Sequence, residues 1–471
     1  ARNFLEGNGF SNPVGPSSPY RRGGLTTSLP IAGSFAVFGY TEFAARFPMV
    51  LVGVLSIPLA YLLGAHFNRL LGYMLAAFVA VDPFLVVWSR TARMYAPLTL
   101  IYLASVYLLL RWYTEREFEF RSLYPIALAV LVVLGRETHR AYLAFGAVAV
   151  SFLLVVLVSR LWKSKPGVLA DVDKVTRRTG LLFGAGVVLA GGFLAVEGVP
   201  SVLTAQPPPT WPDRGLAYYW SFLGDAYFLL RILAIAGAVY CWVRYEESRL
   251  VVLAVLVPLV VASFTPKKAP RYVLHLAPLL AVLAFVPIAD GFSLAWKRIS
   301  ADADEISGVE LSMASLGPLF AILILAAPLA GYAVADSPYS PPHQPTRSDW
   351  EKASAFVSER AEADDLIVST RPELSMWYFG RTDYYFRQAG GDPATSEDGK
   401  LVHSRTGTVI LSDVADVQQL LDRESDIWVF AGKKFGPPYT DPEARSLVEE
   451  RFARVGSEDW IRMAVYRYGA N

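Results

Sequence analysis

Long apolar stretches separated by short polar connections run through the first 336 residues of the chain. A helix that crosses a bilayer needs roughly 20 predominantly apolar residues. The pattern predicts ten such helices, at residues 44–65, 70–88, 95–113, 122–135, 141–159, 179–199, 222–243, 250–265, 272–292 and 314–335. The sequence therefore predicts a multi-pass α-helical membrane protein with about ten transmembrane helices.

After the proline-rich stretch "DSPYSPPHQP" at 336–345, the pattern changes to short strands that alternate with helices. Strands are predicted at residues 365–370, 408–411, 426–432 and 462–468, and helices at 348–363, 413–423 and 441–453. Such alternation is typical of a layered α/β domain with a parallel or mixed sheet. The predicted domains are a first segment at 1–40, a transmembrane domain at 41–338 and a soluble α/β domain at 339–471.

Composition agrees with a membrane protein. The 471 residues are 54% hydrophobic, whereas about 45–50% is typical of soluble proteins even with glycine included. The single cysteine, Cys241, excludes an internal disulfide and a cysteine-cluster metal site. The formal net charge is only +1, and no nucleic-acid partner is expected. No cofactor is predicted, and a divalent metal is an open alternative that the sequence does not support.

The distribution of basic residues predicts the orientation in the membrane. Connections on one side of the predicted helices carry 14 Lys and Arg residues, and those on the other side carry 8. The positive-inside rule places the richer set in the cytoplasm. The α/β domain is therefore predicted to be extracytoplasmic, on a protein of the plasma membrane. Residues 337–471 hold 22 of the 42 acidic but only 16 of the 43 basic residues, so this region is net negative.

Basic residues also collect at the predicted outer helix ends. In "VVWSRTARMYAPLTL", Arg90 and Arg93 lie three residues apart, which on a helix places them on one face. "TPKKAPRY" adds Lys267, Lys268 and Arg271. Because the arginine side chain suits planar, bidentate phosphate recognition, we predict an outer pocket for a phosphate-bearing ligand. The alternative interpretation is that these side chains extend to lipid headgroups.

Several short motifs resemble a known family. They are "ARFP" at 45–48, "DP" at 82–83, "SRTARMYA" at 89–96 and "APRYVLHLAPLL" at 269–280. Together they resemble the polyprenyl-phosphate-sugar glycosyltransferases of the GT-C superfamily, which include protein O-mannosyltransferases and lipid A aminoarabinose transferases. Upstream, "ARNFLEGNGF" at 1–10 and "YRRGGLTTSLPIAGSFAVFG" at 20–39 resemble the family's first outer loop, which implies an extracytoplasmic loop with surface-lying helices at 1–40. The resemblance covers about residues 1–336.

The resemblance implies an activity and a site. The expected enzyme moves a sugar from a polyprenyl-phosphate donor to a hydroxyl of a lipid, glycan or protein acceptor, with inversion, on the extracytoplasmic face. The family's general base is a carboxylate that its motif places upstream of Ala1, so the chain is expected to be N-terminally truncated. The implied substrate-binding residues are Arg22, Arg90, Arg93, Tyr95, Lys267, Lys268, Arg271 and Tyr272.

Three further residues have open interpretations. Asp82 lies in an apolar run, where acids are costly and often functional, so it is a catalytic candidate. It is equally a candidate cap for a helix kinked at Pro83. Glu137 and His139 lie at an outer helix end, where substrate or metal contact is one interpretation. Their i, i+2 spacing does not place them on one helix face.

Two other functions remain alternatives. A transporter or flippase of a phosphate-bearing lipid often has two similar halves and a site near mid-membrane, and the sequence shows neither. An envelope assembly protein, anchored by the helices and binding partners through the α/β domain, would not need outer arginines at several helix ends. The favoured prediction is the glycosyltransferase, with the sugar, the acceptor and the polyprenol open.

Overall fold

The computed structural model describes helices in the first part of the chain and a sheet in the last part. The described residues are 1–5, 7, 23–163, 174–193, 216–265, 268–307, 349–388, 393–395, 400–403, 406–423, 425–437 and 439–469. They fall into two units, one within Ala1 and residues 21–340 and the other within residues 2–20 and 341–471.

The described residues up to 307 are mostly α-helical. The helices are α1 (Arg2–Leu5), α2 (Leu29–Phe38), α3 (Glu42–Phe67), α4 (Arg69–Val81), α5 (Pro83–Ser89), α6 (Tyr95–Arg116), α7 (Tyr124–Thr138), α8 (Ala144–Lys163), α9 (Lys174–Phe193), α10 (Leu216–Arg244), α11 (Arg249–Phe264) and α12 (Ala277–Ser307). A π-helical turn spans Gly24–Ser28, and 3-10 turns span Arg140–Leu143, Pro270–Tyr272 and Leu274–Leu276. Polar side chains cap the N-termini of several helices. The Thr41 side chain accepts a hydrogen bond from Ala44 N, and the Asn68 side chain accepts one from Leu70 N.

Several helices are long and apolar enough to cross a membrane. Five such helices occur in the described residues, at Glu42–Phe67, Tyr95–Arg116, Arg140–Trp162, Ala217–Arg244 and Leu274–Ala295. The pair α4 and α5, bent by 57°, makes a sixth if it is counted as one span. Helices α7 and α11, with 15 and 16 residues, lie in two further predicted segments. The segment 314–335 and the end of 179–199 lie outside the described residues. The mostly helical fold is thus confirmed, and within the described residues five or six helices have the length and composition of membrane spans, while the prediction of ten spans stays a prediction.

Small residues and buried polar contacts hold the membrane helices together. A Cβ built on Gly237 of α10 would lie 1.8 Å from the carbonyl oxygen of Leu283 in α12, so glycine is needed for this approach. Close approach at small residues is a common basis of helix packing in membranes. The fully buried Tyr102 of α6 donates a 2.8 Å hydrogen bond to the Ala254 carbonyl of α11. A hydroxyl in an apolar environment is costly without such a partner.

The second unit contains a mixed sheet of eight strands. They are β1 (Leu366–Ser369), β2 (Tyr384–Phe386), β3 (Pro393–Thr395), β4 (Leu401–His403), β5 (Val409–Leu411), β6 (Ile427–Gly432), β7 (Ala453–Val455) and β8 (Met463–Tyr468). Their order is β3-β4-β5-β2-β1-β6-β8-β7. The central strands β5, β2, β1 and β6 are parallel, and the outer pairs are antiparallel.

Helices cover both faces of this sheet. They are α13 (Trp350–Ser358), α14 (Pro372–Tyr378), α15 (Val414–Leu421) and α16 (Pro442–Arg451). Because side chains alternate along a strand, Ile427 and Val429 of β6 pack in one cluster with α15 and α16. Trp428 and Phe430 pack in the other cluster, with α13 and α14. The predicted layered α/β domain is confirmed as three layers around one mixed sheet.

Candidate functional site

The two arginines of "SRTARMYA" lie on a turn between helices. Helix α5 ends at Ser89 and α6 begins at Tyr95, so the expectation that Arg90 and Arg93 share a helix face is wrong. The Thr91 hydroxyl donates a 2.9 Å hydrogen bond back to the Val87 carbonyl, a local contact that competes with helix continuation. Both arginine side chains are exposed, and neither guanidinium pairs with another described residue. The turn therefore presents two positive charges that have no carboxylate partner among the described residues.

Tyr95 and Arg271 connect the two motifs of the predicted site. Arg271 Nε donates a 2.9 Å hydrogen bond to the Tyr95 hydroxyl. Tyr95 is 4% exposed at the start of α6, and Arg271 is half-buried in the turn Pro270–Tyr272. Arg93 also interacts electrostatically with Tyr95. The structure thus brings four of the predicted residues, Arg93, Tyr95, Arg271 and Tyr272, into one place.

Aromatic rings surround this hydrogen bond. The Tyr95 ring lies 4.6 Å from the Trp88 ring and 5.6 Å from the His139 ring, centroid to centroid. The His139 ring lies 5.6 Å from that of Tyr272, and the Arg271 guanidinium lies 5.1 Å from the Tyr272 centroid. His139 is therefore part of the site by ring contacts.

Glu137 anchors the segment 23–26, which belongs to the predicted first loop. Its carboxylate accepts hydrogen bonds from Leu25 N at 3.0 Å and from the Thr26 hydroxyl at 3.3 Å. Its backbone carbonyl accepts from Gly23 N at 2.9 Å, and the Thr138 hydroxyl lies 2.8 Å from that of Thr26. Glu137 is therefore engaged in joining this loop to the end of α7. Sequence reasoning missed this role, because the contact partner is more than 100 residues away.

Three other basic residues were predicted to bind the substrate, namely Arg22, Lys267 and Lys268. Lys268 is 7% exposed, and its ammonium donates a 3.1 Å hydrogen bond to the Thr265 carbonyl of its own loop. That contact commits the ammonium locally, so its assignment as a substrate ligand stays a prediction. Arg22 and Lys267 lie outside the described residues.

The contacts of Asp82 are those of a helix cap. Its carboxylate accepts from Leu85 N at 2.9 Å, at the start of α5, and from the Tyr227 hydroxyl at 3.0 Å. Tyr227 leaves helical geometry within α10. Asp82 is 3% exposed and lies at the 57° bend between α4 and α5. These contacts favour the capping interpretation over the catalytic one.

His275 was not singled out from the sequence, although it lies in "RYVLHL". It is 1% exposed, its ring is 4.6 Å from that of Tyr102, and neither ring nitrogen has a hydrogen-bond partner among the residues that the structure describes. Within the part of the chain that the structure describes, no group of three or more His, Cys, Asp or Glu residues is arranged to hold a metal ion.

Comparison with known proteins finds a match to one family over part of the chain and a similar fold among solved structures. Residues 24–172 match the family described as dolichyl-phosphate-mannose-protein mannosyltransferase. No curated protein matches the chain. The crystal structure of ArnT from Cupriavidus metallidurans bound to undecaprenyl phosphate is similar with a TM-score of 0.57 and 13% identity. That of the same protein in the apo state gives a TM-score of 0.55 and 12% identity. Both alignments cover 99% of this chain and 91% of ArnT.

The matched family segment contains "ARFP", "DP" and "SRTARMYA", and the similar fold extends over nearly the whole chain. Sequence motifs and fold therefore agree. Together they confirm the resemblance of this chain to the polyprenyl-phosphate-sugar glycosyltransferases of the GT-C superfamily.

Proposed function

We propose that this chain is an integral membrane glycosyltransferase that moves a sugar from a polyprenyl-phosphate carrier to a hydroxyl acceptor. The transfer takes place on the extracytoplasmic face and inverts the anomeric centre. The hydrogen bond from Arg271 to Tyr95 carries the proposal, because it brings the two basic motifs together. The family match at residues 24–172 and the likeness to an ArnT structure bound to undecaprenyl phosphate support this donor class.

The basic residues of the site are suited to stabilise the lipid phosphate as the leaving group. As the acceptor oxygen attacks the anomeric carbon, the bond from that carbon to the phosphate oxygen breaks and the lipid phosphate leaves with the electron pair. Preplaced positive charges stabilise such a developing anion. Arg90 and Arg93 are exposed and form no ion pair within the described part of the chain, whereas Arg271 is half-buried and oriented by Tyr95. Arg271 is thus placed for a fixed contact, and Arg90 and Arg93 for contacts that form when the lipid arrives.

The acceptor proton needs a base, and two carboxylates are poor candidates. Glu137 is engaged by the loop at 23–26, and Asp82 caps α5. We assign neither as the general base. His139, whose Nδ1 accepts from Ala141 N, also has a structural role.

The domain boundaries and the orientation are part of the proposal. The first loop spans residues 1–40, the transferase domain 41–338 and the extracytoplasmic α/β domain 339–471. A cysteine at the exposed Ser358 should react with a membrane-impermeant thiol reagent in intact cells, and one at the exposed Arg121 should not. Cys241 is buried and gives little background. The reverse labelling pattern would refute the orientation.

Release of polyprenyl phosphate tests the activity whatever the acceptor is. The full-length protein would be reconstituted with polyprenyl-phosphate-linked sugars, and the released carrier measured. Arg93→Ala should slow turnover on the order of 10²–10³-fold, by analogy with the loss of one oxyanion-hole donor. Arg93→Lys should restore little of it, because lysine lacks the planar fork.

Arg121→Ala is the matched control, since Arg121 is an exposed arginine on a predicted cytoplasmic connection. It should turn over like the unmodified protein. If Arg90→Ala and Arg93→Ala both keep near-normal turnover, these residues are headgroup anchors. If lipid is moved across the bilayer without sugar transfer, the transporter alternative replaces the proposal.

A further inference from the structure

The α/β unit concentrates basic residues at one edge of its sheet. The strands β2, β1 and β6 are neighbours and parallel, so their carboxyl ends share an edge. Arg371 follows β1, Arg387 directly follows β2, and Lys434 lies in the 3-10 turn after β6. Three cations therefore meet at the same edge, although the region 337–471 is net negative, with 22 acidic and 16 basic residues.

This edge is also where the strand order changes direction. From β1 the chain passes through α14 to β2, which lies on one side of β1. From β5 it passes through α15 to β6, which lies on the other side of β1. Helices α14 and α15 pack on opposite faces of the sheet. In open α/β sheets, ligands bind in the crevice outside the carboxyl ends of the strands at such a switch point.

The backbone at this crevice is fixed. The Thr370 hydroxyl donates a 3.1 Å hydrogen bond to the Phe430 carbonyl and accepts one of 2.9 Å from Gly432 N. These contacts join the ends of β1 and β6. A ligand at the crevice would therefore meet a preformed surface, which lowers the ordering cost of binding.

Arg371 forms an ion pair with Glu373 that leaves its Nε without a hydrogen bond among the described residues. Its Nε is buried without a hydrogen-bond partner among the described residues, and the nearest carboxylate oxygen, Glu373 Oε2, lies 3.7 Å away. A buried donor left unpaired is costly, and an acceptor that fills the gap would relieve this cost. Glu373 Oε1 lies 4.0 Å from His403 Nε2, so one carboxylate lies between two basic groups.

Arg387 is held in position by an aromatic side chain. Its Nη1 donates a 2.8 Å hydrogen bond to the hydroxyl of Tyr385, which is 2% exposed. The Tyr385 ring packs 4.9 Å from the ring of His403. Tyr385 thereby links Arg387 to the group of Arg371, Glu373 and His403. Together with Lys434, the group contains three permanently charged cations and one carboxylate, so its net charge is positive.

We infer that this crevice, formed by Arg371, Glu373, Arg387, His403 and Lys434, binds a phosphate- or carboxylate-bearing small molecule. Arginine forks match the oxygen geometry of both anions. The Glu373 carboxylate supplies an acceptor for a neighbouring hydroxyl of the same ligand, and the buried His403 ring, held by Thr406 through Nδ1, lies behind it. The site lies wholly within the α/β unit, and it does not depend on the proposed transferase activity.

Hydrogen exchange measured by mass spectrometry on the full chain in detergent tests the inference. The probes are inorganic phosphate and glucuronate, each compared with chloride at equal ionic strength. Either probe should slow exchange in peptides that cover 369–374, 384–388 and 432–437. Arg387→Gln and Arg371→Gln should weaken the apparent affinity about tenfold to a hundredfold, as expected for loss of a hydrogen bond to a charged group.

Arg451→Ala, at an exposed position at the end of α16, is the matched control and should leave the affinity unchanged. Circular dichroism and size exclusion confirm that each variant is folded. Protection by only one of the two probes assigns the anion class. Absence of protection in these three peptides overturns the inference, and so does protection confined to 88–96 and 268–273. Equal affinity in both glutamine variants and the control overturns it as well.

Discussion

Arg271 Nε donates a hydrogen bond of 2.9 Å to the Tyr95 hydroxyl and so joins positions 176 residues apart in the sequence. The two motifs that carry these residues are separated by several helices, and nothing in their spacing says that they meet. Their contact turns two sets of basic residues into one candidate site. Tyr95 thereby has two roles, since its hydroxyl accepts from Arg271 and its ring packs against Trp88.

Tyr95→Phe should reduce sugar transfer without unfolding the protein. The substitution removes the acceptor for Arg271 and keeps the ring that lies 4.6 Å from Trp88. A hydrogen bond to a charged group is worth about 1.5–3 kcal/mol, so turnover should fall about tenfold to a hundredfold if Arg271 needs this orientation. Turnover and thermal stability would be measured on the same preparation. Full activity in Tyr95→Phe would show that Arg271 does not depend on Tyr95.

Glu137→Ala should loosen the segment 23–28. The carboxylate holds Leu25 N and the Thr26 hydroxyl, and both lose their partner in the alanine variant. Hydrogen exchange of the peptide covering 23–28 should become faster. Glu137→Gln keeps one acceptor oxygen and should have a smaller effect. Equal exchange in the alanine variant and the unmodified chain would mean that other contacts hold the loop.

The sequence predicts some levels of this structure better than others. Long apolar runs determine membrane helices locally, so α3, α6, α8, α10 and α12 were predictable. In the α/β domain, strands with continuous apolar runs such as "DIWVFAG" were found. The three-residue strands β2, β3, β4 and β7 and the seven-residue α14 were missed, because so few residues give no period.

In the candidate site, too, the residue types were predictable from the sequence but the tertiary arrangement was not. Residue types identified Arg90, Arg93, Tyr95 and Arg271 as candidates, whereas the placement of Arg90 and Arg93 on one helix face was wrong, because one helix ends at Ser89 and the next begins at Tyr95. The crevice in the α/β domain required the strand order, since Arg371, Arg387 and Lys434 are far apart in sequence. Tertiary contacts of this kind have no local signature.

Gly237→Ala should destabilise the membrane domain. The added methyl group would meet the Leu283 carbonyl at 1.8 Å, so α10 and α12 would have to separate. Overpacking of this kind costs about 1–3 kcal/mol, and the melting temperature in detergent should fall. Gly146→Ala in α8 is the matched control, because nothing lies within 4 Å of the added Cβ. A melting temperature of Gly237→Ala equal to that of the control would mean that the helices do not approach this closely.

Glu373 should make the α/β unit sensitive to acid. Burial alone would raise the pKa of Glu373, but the positive charge of Arg371, with His403 and Lys434, outweighs it and holds the pKa below its ordinary value of 4.5. A carboxyl whose pKa is depressed by folding adds stability above its unfolded pKa, and this stability is lost as the pH falls through the folded pKa. Glu373→Gln should therefore be less stable than the unmodified chain at neutral pH, and the difference should shrink as the pH falls below 4.5.

Hydrogen exchange of the peptide covering 369–379, followed as a function of pH, measures this difference in stability, with the exposed Glu458→Gln as the control. A difference that stays constant from neutral to acidic pH would mean that the carboxyl acts through packing, and the electrostatic role assigned to Glu373 beside Arg371 would be wrong.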